Sequence, residues 1–192
     1  MTDAATSLLS QADDPSDLDL IAGWKAGDQR AATRLVERHA TAIARFVASV
    51  GERVDVDDVV QETFARAFAS LDSFRGESSF RTWLFTIARR LVLDRRRSER
   101  RRGGGSRMQS EVQDSDVVTE FDALDAVVAD ETERRMREAV ARLTPTQREV
   151  FTLRVAEGLS YREIAAAVDT TEGAARVHYH NAMRAVKEFL DE

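Results

Sequence analysis

The sequence predicts an all-α fold, with two small helical domains joined by a flexible acidic linker and a helix-turn-helix in the C-terminal one. Three observations predict it. Apolar residues recur three and four apart along most of the chain, while the alternation of strands is nearly absent. Three successive glycines from Gly103 interrupt that period and mark a boundary. Cap residues then punctuate the last fifty or so positions as short helix, tight turn, long helix. The 192 residues are 43% hydrophobic and 32% charged, the balance of a globular protein rather than a disordered one. No apolar run approaches the ~20 residues of a membrane span, so no membrane insertion is expected. Cysteine is absent, which excludes disulfides and thiolate metal sites.

The elements follow in order. Residues 1–16 lack a basic start and an apolar core, and read as a flexible tail rather than a targeting segment. A short helix around Leu18 to Lys25 opens the first domain, 17–102. Leu35, Val36, His39, Ile43, Phe46, Val47 and Val50 form one stripe on a helix from about Asp28 to Val50; His39 on that stripe reads as a core residue. The next helix has Val56, Val59, Val60, Thr63, Phe64, Ala67, Phe68 and Leu71 on one face and Asp57, Asp58, Gln61 and Glu62 on another. Phe80, Trp83, Leu84, Ile87, Ala88 and Leu91 mark a further helix, with Ser78 or Ser79 as its N-cap and Glu77 beside its positive end. Helical spacing favours burial for Trp83. The C-terminal continuation of this helix is basic: from Arg89 to Arg102 eight arginines stand against Asp94 and Glu99, a local charge of +6 in a chain of net charge −6. Charge so concentrated points to a polyanionic partner.

Composition changes at Gly103. From there to Glu133 the chain carries nine acidic residues and one arginine, and 103–129 reads as a flexible linker. The second domain, 130–192, resumes the helical period near Asp130. Thr144-Pro145-Thr146-Gln147 supplies a cap, a proline at the first helical position and a glutamine three after the cap, starting a helix that ends near Gly158. Ser160-Tyr161-Arg162-Glu163 is a second capping box, opening a short helix that stops at Asp169-Thr170. Thr171 caps the helix that follows, with Glu172, Gly173, Arg176 and His180 on its exposed side. In a helix-turn-helix the N-terminal part of that second helix enters the major groove.

The stretches "DVDDVVQETFARAFASLDSFRGESSFRTWLFTIARRLVLDRRR" and "LTPTQREVFTLRVAEGLSYREIAAAVDTTEGAARVHYHNAMRAV" resemble the two domains of bacterial RNA polymerase sigma factors, and the absence of further domains resembles the extracytoplasmic-function group. The resemblance implies two macromolecular partners, core RNA polymerase and promoter DNA, together with an anti-sigma factor. It implies that Asp57, Asp58, Gln61 and Glu62 dock on a basic coiled coil of the largest polymerase subunit, where complementary charge steers association. It implies that the loop Phe74, Arg75, Gly76, Ser78, Ser79 and Phe80, with Arg81 and Trp83 beside it, holds a base flipped from the nontemplate strand at the −10 element, with Phe85 close to the path of melted DNA. Arg89, Arg95, Arg96 and Arg97 would hold phosphates there. Ser160, Arg162, Thr171, Glu172, Gly173, Arg176 and His180 would form the −35 reading surface. In the family the connector between domains passes through the polymerase interior, where an acidic segment can imitate nucleic acid.

No catalytic residue, metal site or cofactor is expected. "RRGGGSRM" lacks the spacing of a phosphate-binding loop, and His178 and His180, two apart on a helix, point in different directions. The second helix of the helix-turn-helix departs from the family pattern: Ala174 to Met183 lacks several usual cations, though Arg176 and Arg184 remain. That departure leaves open a second class of function, a sigma-like decoy that binds an anti-sigma factor without directing transcription. The arginine run and the Phe74–Phe80 loop argue against it, since a decoy needs no apparatus for melting DNA. An ordinary helix-turn-helix regulator would leave the first domain unexplained.

Overall fold

Eight α-helices and one 3-10 turn account for most of residues 14–51, 54–102 and 123–192, which the computed structural model describes, and no strand occurs among them. In chain order the helices are α1 (Asp17–Lys25), α2 (Gln29–Val50), α3 (Val56–Ala69), α4 (Phe80–Arg102), α5 (Ala123–Arg142), α6 (Pro145–Val155), α7 (Tyr161–Val168) and α8 (Glu172–Asp191), with the 3-10 turn at Leu71–Ser73. No described helix is long and apolar enough to cross a membrane. The chain divides into two units, Met1–Thr41 and Ala42–Glu192.

In the first unit, α1 starts at a capping box that the apolar pattern did not reveal. Ser16 Oγ accepts from the Asp19 N–H at 3.2 Å, and Asp19 Oδ2 accepts from the Ser16 N–H at 3.0 Å. The hydrogen bond from the Ser16 hydroxyl, with that from its N–H, holds the Asp19 carboxyl below its ordinary range. Asp17 is gripped from α2, by Arg38 Nη1 at 2.7 Å and His39 Nε2 at 2.9 Å. His39 is buried, as its stripe predicts, and its burial is compatible with a polar ring because that carboxylate meets it.

The second unit is built on two sets of apolar side chains. Phe46, Val59, Phe64, Ala67, Leu84, Ala88 and Leu91 are buried at the spacings the sequence predicts, and Phe85, which the predicted stripe did not include, is buried with them. The Phe46 and Phe85 rings meet edge to face at 5.4 Å, and α3 packs along α4. Thr63, buried within the α3 apolar face, satisfies its hydroxyl on the Val59 carbonyl at 2.7 Å. Ala139, Leu143, Phe151, Ala182 and Val186 form the other cluster, with Tyr179 and Phe189 packed against it. Arg148 seats the end of α5, donating to the carbonyls of Val140 at 3.1 Å and Leu143 at 3.2 Å. A cation there meets both the unpaired carbonyls and the negative end of the helix dipole.

One expectation changes. Helix α5 begins at Ala123, seven residues before the predicted start of the second domain, so 123–129 are helical rather than linker; Ala123, Leu124, Ala126 and Ala129 are strong helix formers within this acidic stretch. The remainder of the predicted linker, 103–122, and residues 1–13 of the predicted tail lie outside the described residues.

Candidate nucleic-acid interface

Helix α3 presents its acidic flank from a capped start, Asp55 Oδ1 accepting from the Asp58 N–H at 3.0 Å. Asp57, Asp58 and Gln61 are exposed and Glu62 half-buried. Two of the four are already engaged: Arg95 of α4 sits 2.6 Å from Asp58 Oδ2 and 2.9 Å from Glu62 Oε2. That guanidinium holds the Glu62 carboxyl below the usual carboxylate range, with Arg66 assisting. Asp57 and Gln61 are thus the more available part of the acidic face.

Between the 3-10 turn and α4, Gly76 takes φ +72°, a left-handed conformation that favours glycine. Arg75, Gly76, Glu77 and Ser79 are exposed and Ser78 is half-buried. Ser79 is the cap of α4, its Oγ accepting from the Thr82 N–H at 3.1 Å, which settles the choice between Ser78 and Ser79. Beneath the loop, the rings of Phe74, Phe80 and Trp83 meet at centroid distances of 5.1 to 5.8 Å. Phe80 is 2% exposed and Phe85 fully buried, so neither ring offers a face to a base. Both were expected near melted DNA. They pack into the core instead, because helical spacing from Phe80 through Leu84 and Ala88 turns them inward. Trp83 and Phe74 are half-buried and keep part of their rings accessible.

The basic helix is less open than its charge implies. Arg95 is held as described, Arg96 donates to the Val50 carbonyl, and Arg97 lies 3.6 Å from Asp94. Arg81 donates to the Glu157 carbonyl oxygen at 2.8 Å and to its carboxylate. Arg89 Nε donates to Glu149 Oε2 at 2.9 Å. Arg90, Arg100 and Arg101 are exposed.

In the helix-turn-helix, Ser160 and Glu163 form the predicted capping box: Glu163 Oε2 accepts from Ser160 N–H at 2.9 Å and from its hydroxyl at 2.7 Å. These bonds, the hydroxyl's first, hold the Glu163 carboxyl below its ordinary range. Asp169 ends α7 in the left-handed conformation, φ 56°, which a short polar side chain tolerates. Thr171 Oγ1 then accepts from the Ala174 N–H at 3.1 Å to begin α8. Arg162, Thr171, Glu172, Gly173, Arg176 and His180 are all exposed. Arg176 pairs with Glu172 at 2.5 Å and lies 4.8 Å from the Tyr161 ring centre. Val177 joins this exposed face.

Sequence reasoning missed Arg45, Glu149 and Glu157. Arg45 Nε and Nη2 grip Glu157 Oε1 and Oε2 at 3.0 and 3.2 Å. One signal was present for Glu157. It lies just past the C-terminal end of α6, where the helix dipole favours a cation, and such a local conflict marks a partner supplied from elsewhere in the fold.

A helical body with an arginine-rich helix, followed by a helix-turn-helix whose second helix exposes Glu172, Gly173, Arg176 and His180, defines a DNA-binding class of all-helical protein. Comparison with known proteins narrows the class. The model of Sigma-70 region 2 matches residues 35–102, and that of Sigma-70 region 4 matches residues 133–186. The ECF RNA polymerase sigma-E factor of Haemophilus influenzae is 32% identical over 177 residues, covering 90% of this chain and 94% of that protein. Among solved structures, CnrH in complex with the cytosolic domain of CnrY aligns with a TM-score of 0.66 at 29% identity, over 92% of this chain and 98% of that one. The sigma factor RpoE from Bartonella quintana, in complex with the anti-sigma factor NepR, shares the fold at a TM-score of 0.67 and 24% identity, over 83% and 96%. The chain belongs to the sigma-70 family of RNA polymerase sigma factors, in the extracytoplasmic-function group.

Proposed function

We propose that this chain directs core RNA polymerase to particular promoters and assists their opening, its region 2 part serving core docking and the −10 element and its region 4 part the −35 element. What carries the reading is the presence, in one chain and in order, of a region 2 match ending in the arginine-rich α4 and a region 4 match built as a helix-turn-helix. Phosphate contacts from such a helix give affinity without sequence information, while groove and loop contacts supply the choice of bases. Catalysis belongs to the polymerase. Asp57 and Gln61 lead the docking face. The Arg75–Ser79 loop over Phe74 and Trp83 takes a flipped base, since stacking and an exposed hydrogen-bonding edge suit that geometry. Arg162, Glu172, Gly173, Arg176 and His180 face the −35 groove. The working compartment of this reading is the cytoplasm, where core polymerase is, and its regulator is an anti-sigma protein; the CnrH structure, a complex with a protein domain, supports a partner of that kind.

Permanganate reactivity of promoter thymines tests the reading. Core polymerase plus this chain should expose thymines around the −10 element, and core alone should not. Full core binding with no reactive thymine on any promoter tried would leave only the decoy function.

A further inference from the structure

Tyr161 opens α7, and its half-buried ring is fixed by neighbours on the two flanking helices. Tyr179 of α8 meets the ring edge to face at 5.9 Å, and Tyr179 is itself packed on the cluster that holds Phe151 and Val186. Arg154 of α6 lies over the ring with its Cζ 4.9 Å from the centre. That guanidinium is tied down in turn, Nη1 donating to the Leu159 carbonyl at 2.7 Å. The Ser160–Glu163 capping box fixes the backbone from which the ring projects. A rigid aromatic surface thus stands inside the helix-turn-helix. Arg176 of α8 lies over the same ring, Cζ 4.8 Å from its centre, while its Nη2 donates to Glu172 Oε1 at 2.5 Å. Arg184, on the same helix, reaches only Glu188, at 4.0 Å.

An exposed arginine gives up rotamer freedom when it grips a base, and that loss weakens the contact. A ring face attracts the cation through the quadrupole of its π-system, so Arg176 is restricted before DNA arrives. The attraction acts on the charge, and the Glu172 bond uses one nitrogen. Arg176 keeps 61% of its side chain exposed, with the planar fork at hand for a base edge. Bidentate recognition of guanine O6 and N7 in the major groove requires a fork held in that way.

We propose that Tyr161 is a positioning residue for −35 recognition, its ring face holding Arg176 in the orientation that reads a guanine. Without the ring, Arg176 keeps its charge but becomes a mobile cation that meets phosphate as readily as a base. The loss then shows as relaxed base preference rather than as uniform weakening. Tyr161 and Arg176 lie on different helices, so neither cap nor apolar period reveals their contact. The inference rests on the −35 role proposed for Arg176.

Transcription by core polymerase saturated with the full chain, over a promoter library randomised at the −35 element with a fixed −10 element, tests it. Arg176→Ala should lower the preference for guanine at one −35 position about tenfold. Tyr161→Leu should lower it at the same position about two- to fivefold, the size of an exposed contact between cation and ring, with the salt slope of promoter binding as in the parent. Tyr161→Phe, which keeps the ring, should retain the parental preference. Tyr161→Leu added to Arg176→Ala should relax nothing further. Parental preference in Tyr161→Leu, or a loss spread evenly over all bases, overturns the proposal. An equal loss in Tyr161→Phe also overturns it, since the hydroxyl would then be the acting group. If Tyr161→Leu fails to fold by circular dichroism, replacement of Tyr161 by pentafluorophenylalanine decides, because it keeps the ring and reverses its quadrupole: reduced guanine preference supports the proposal and parental preference overturns it. If Arg176→Ala itself leaves the −35 preference intact, the −35 role of Arg176 falls and this proposal with it. Relaxation by Arg176→Ala with none by Tyr161→Leu removes the proposal alone.

Discussion

Phe85 and Trp83 stand two residues apart on α4 and do different work. Phe85 is fully buried against Phe46, and Phe85→Ala should cost about 3–5 kcal/mol of stability in denaturant titration by leaving a cavity. Trp83, half-buried beside Phe74, should cost less when truncated and should lower promoter opening more, measured by permanganate at equal occupancy of core. Ser160 gives a second residue-scale case. Ser160→Ala should cost about 1 kcal/mol, as for other N-caps. Because Glu163 has a folded-state pKa held below its ordinary value of 4.5, its stabilising share is present above that value and is lost as pH falls through the folded pKa. The gap between parent and variant should therefore narrow as pH falls below that ordinary value. Caps of this kind were legible, since Ser160-x-x-Glu163 and Thr171 need only local sequence. The pairs made by Glu157 and Glu149 were not, because Arg81 and Glu157 are far apart in the chain and leave no period to detect.

At the scale of elements, helix α3 offers its acidic face with half of it held by Arg95. Reversing Asp58 would break that pair and confuse two effects, so Asp57→Lys with Gln61→Lys is the cleaner test. Core affinity at low salt should fall about tenfold through repulsion, with helicity and melting temperature unchanged. Unchanged core affinity would place the docking face elsewhere. Helix α4 calls for the same discrimination. Arg95 and Arg96 hold other helices, whereas Arg90, Arg100 and Arg101 are exposed. Replacing those three by Gln should flatten the salt dependence of promoter binding by about 0.7–0.9 in slope for each phosphate no longer neutralised, leaving base preference as it was. The helix starts were readable to the residue wherever a cap stood before an apolar period, as at Thr144, Ser160 and Thr171 ahead of α6, α7 and α8. Helix α5 was misread at its start because acidic composition resembles a linker, while helix formation depends on residues such as Ala and Leu that the charge obscured.

For the whole molecule, the proposed function places two reading heads on one chain: the loop from Arg75 to Ser79 and the exposed face of α8. They belong to different parts of the sequence, so their specificities should separate. Family resemblance and structure agree on the fold, and the structure adds that several arginines expected to face DNA are bound to carboxylates of the same chain. The most direct test is transcription by core polymerase over a randomised promoter library, comparing the parent chain, a graft of different residues at 75–79, and Arg176→Ala. The parent should enrich one −10 and one −35 sequence that core alone does not, the graft should change only the −10 bases, and Arg176→Ala only the −35 bases. No enrichment above core alone, from a chain shown to bind core, would mean that it docks on polymerase without choosing promoters.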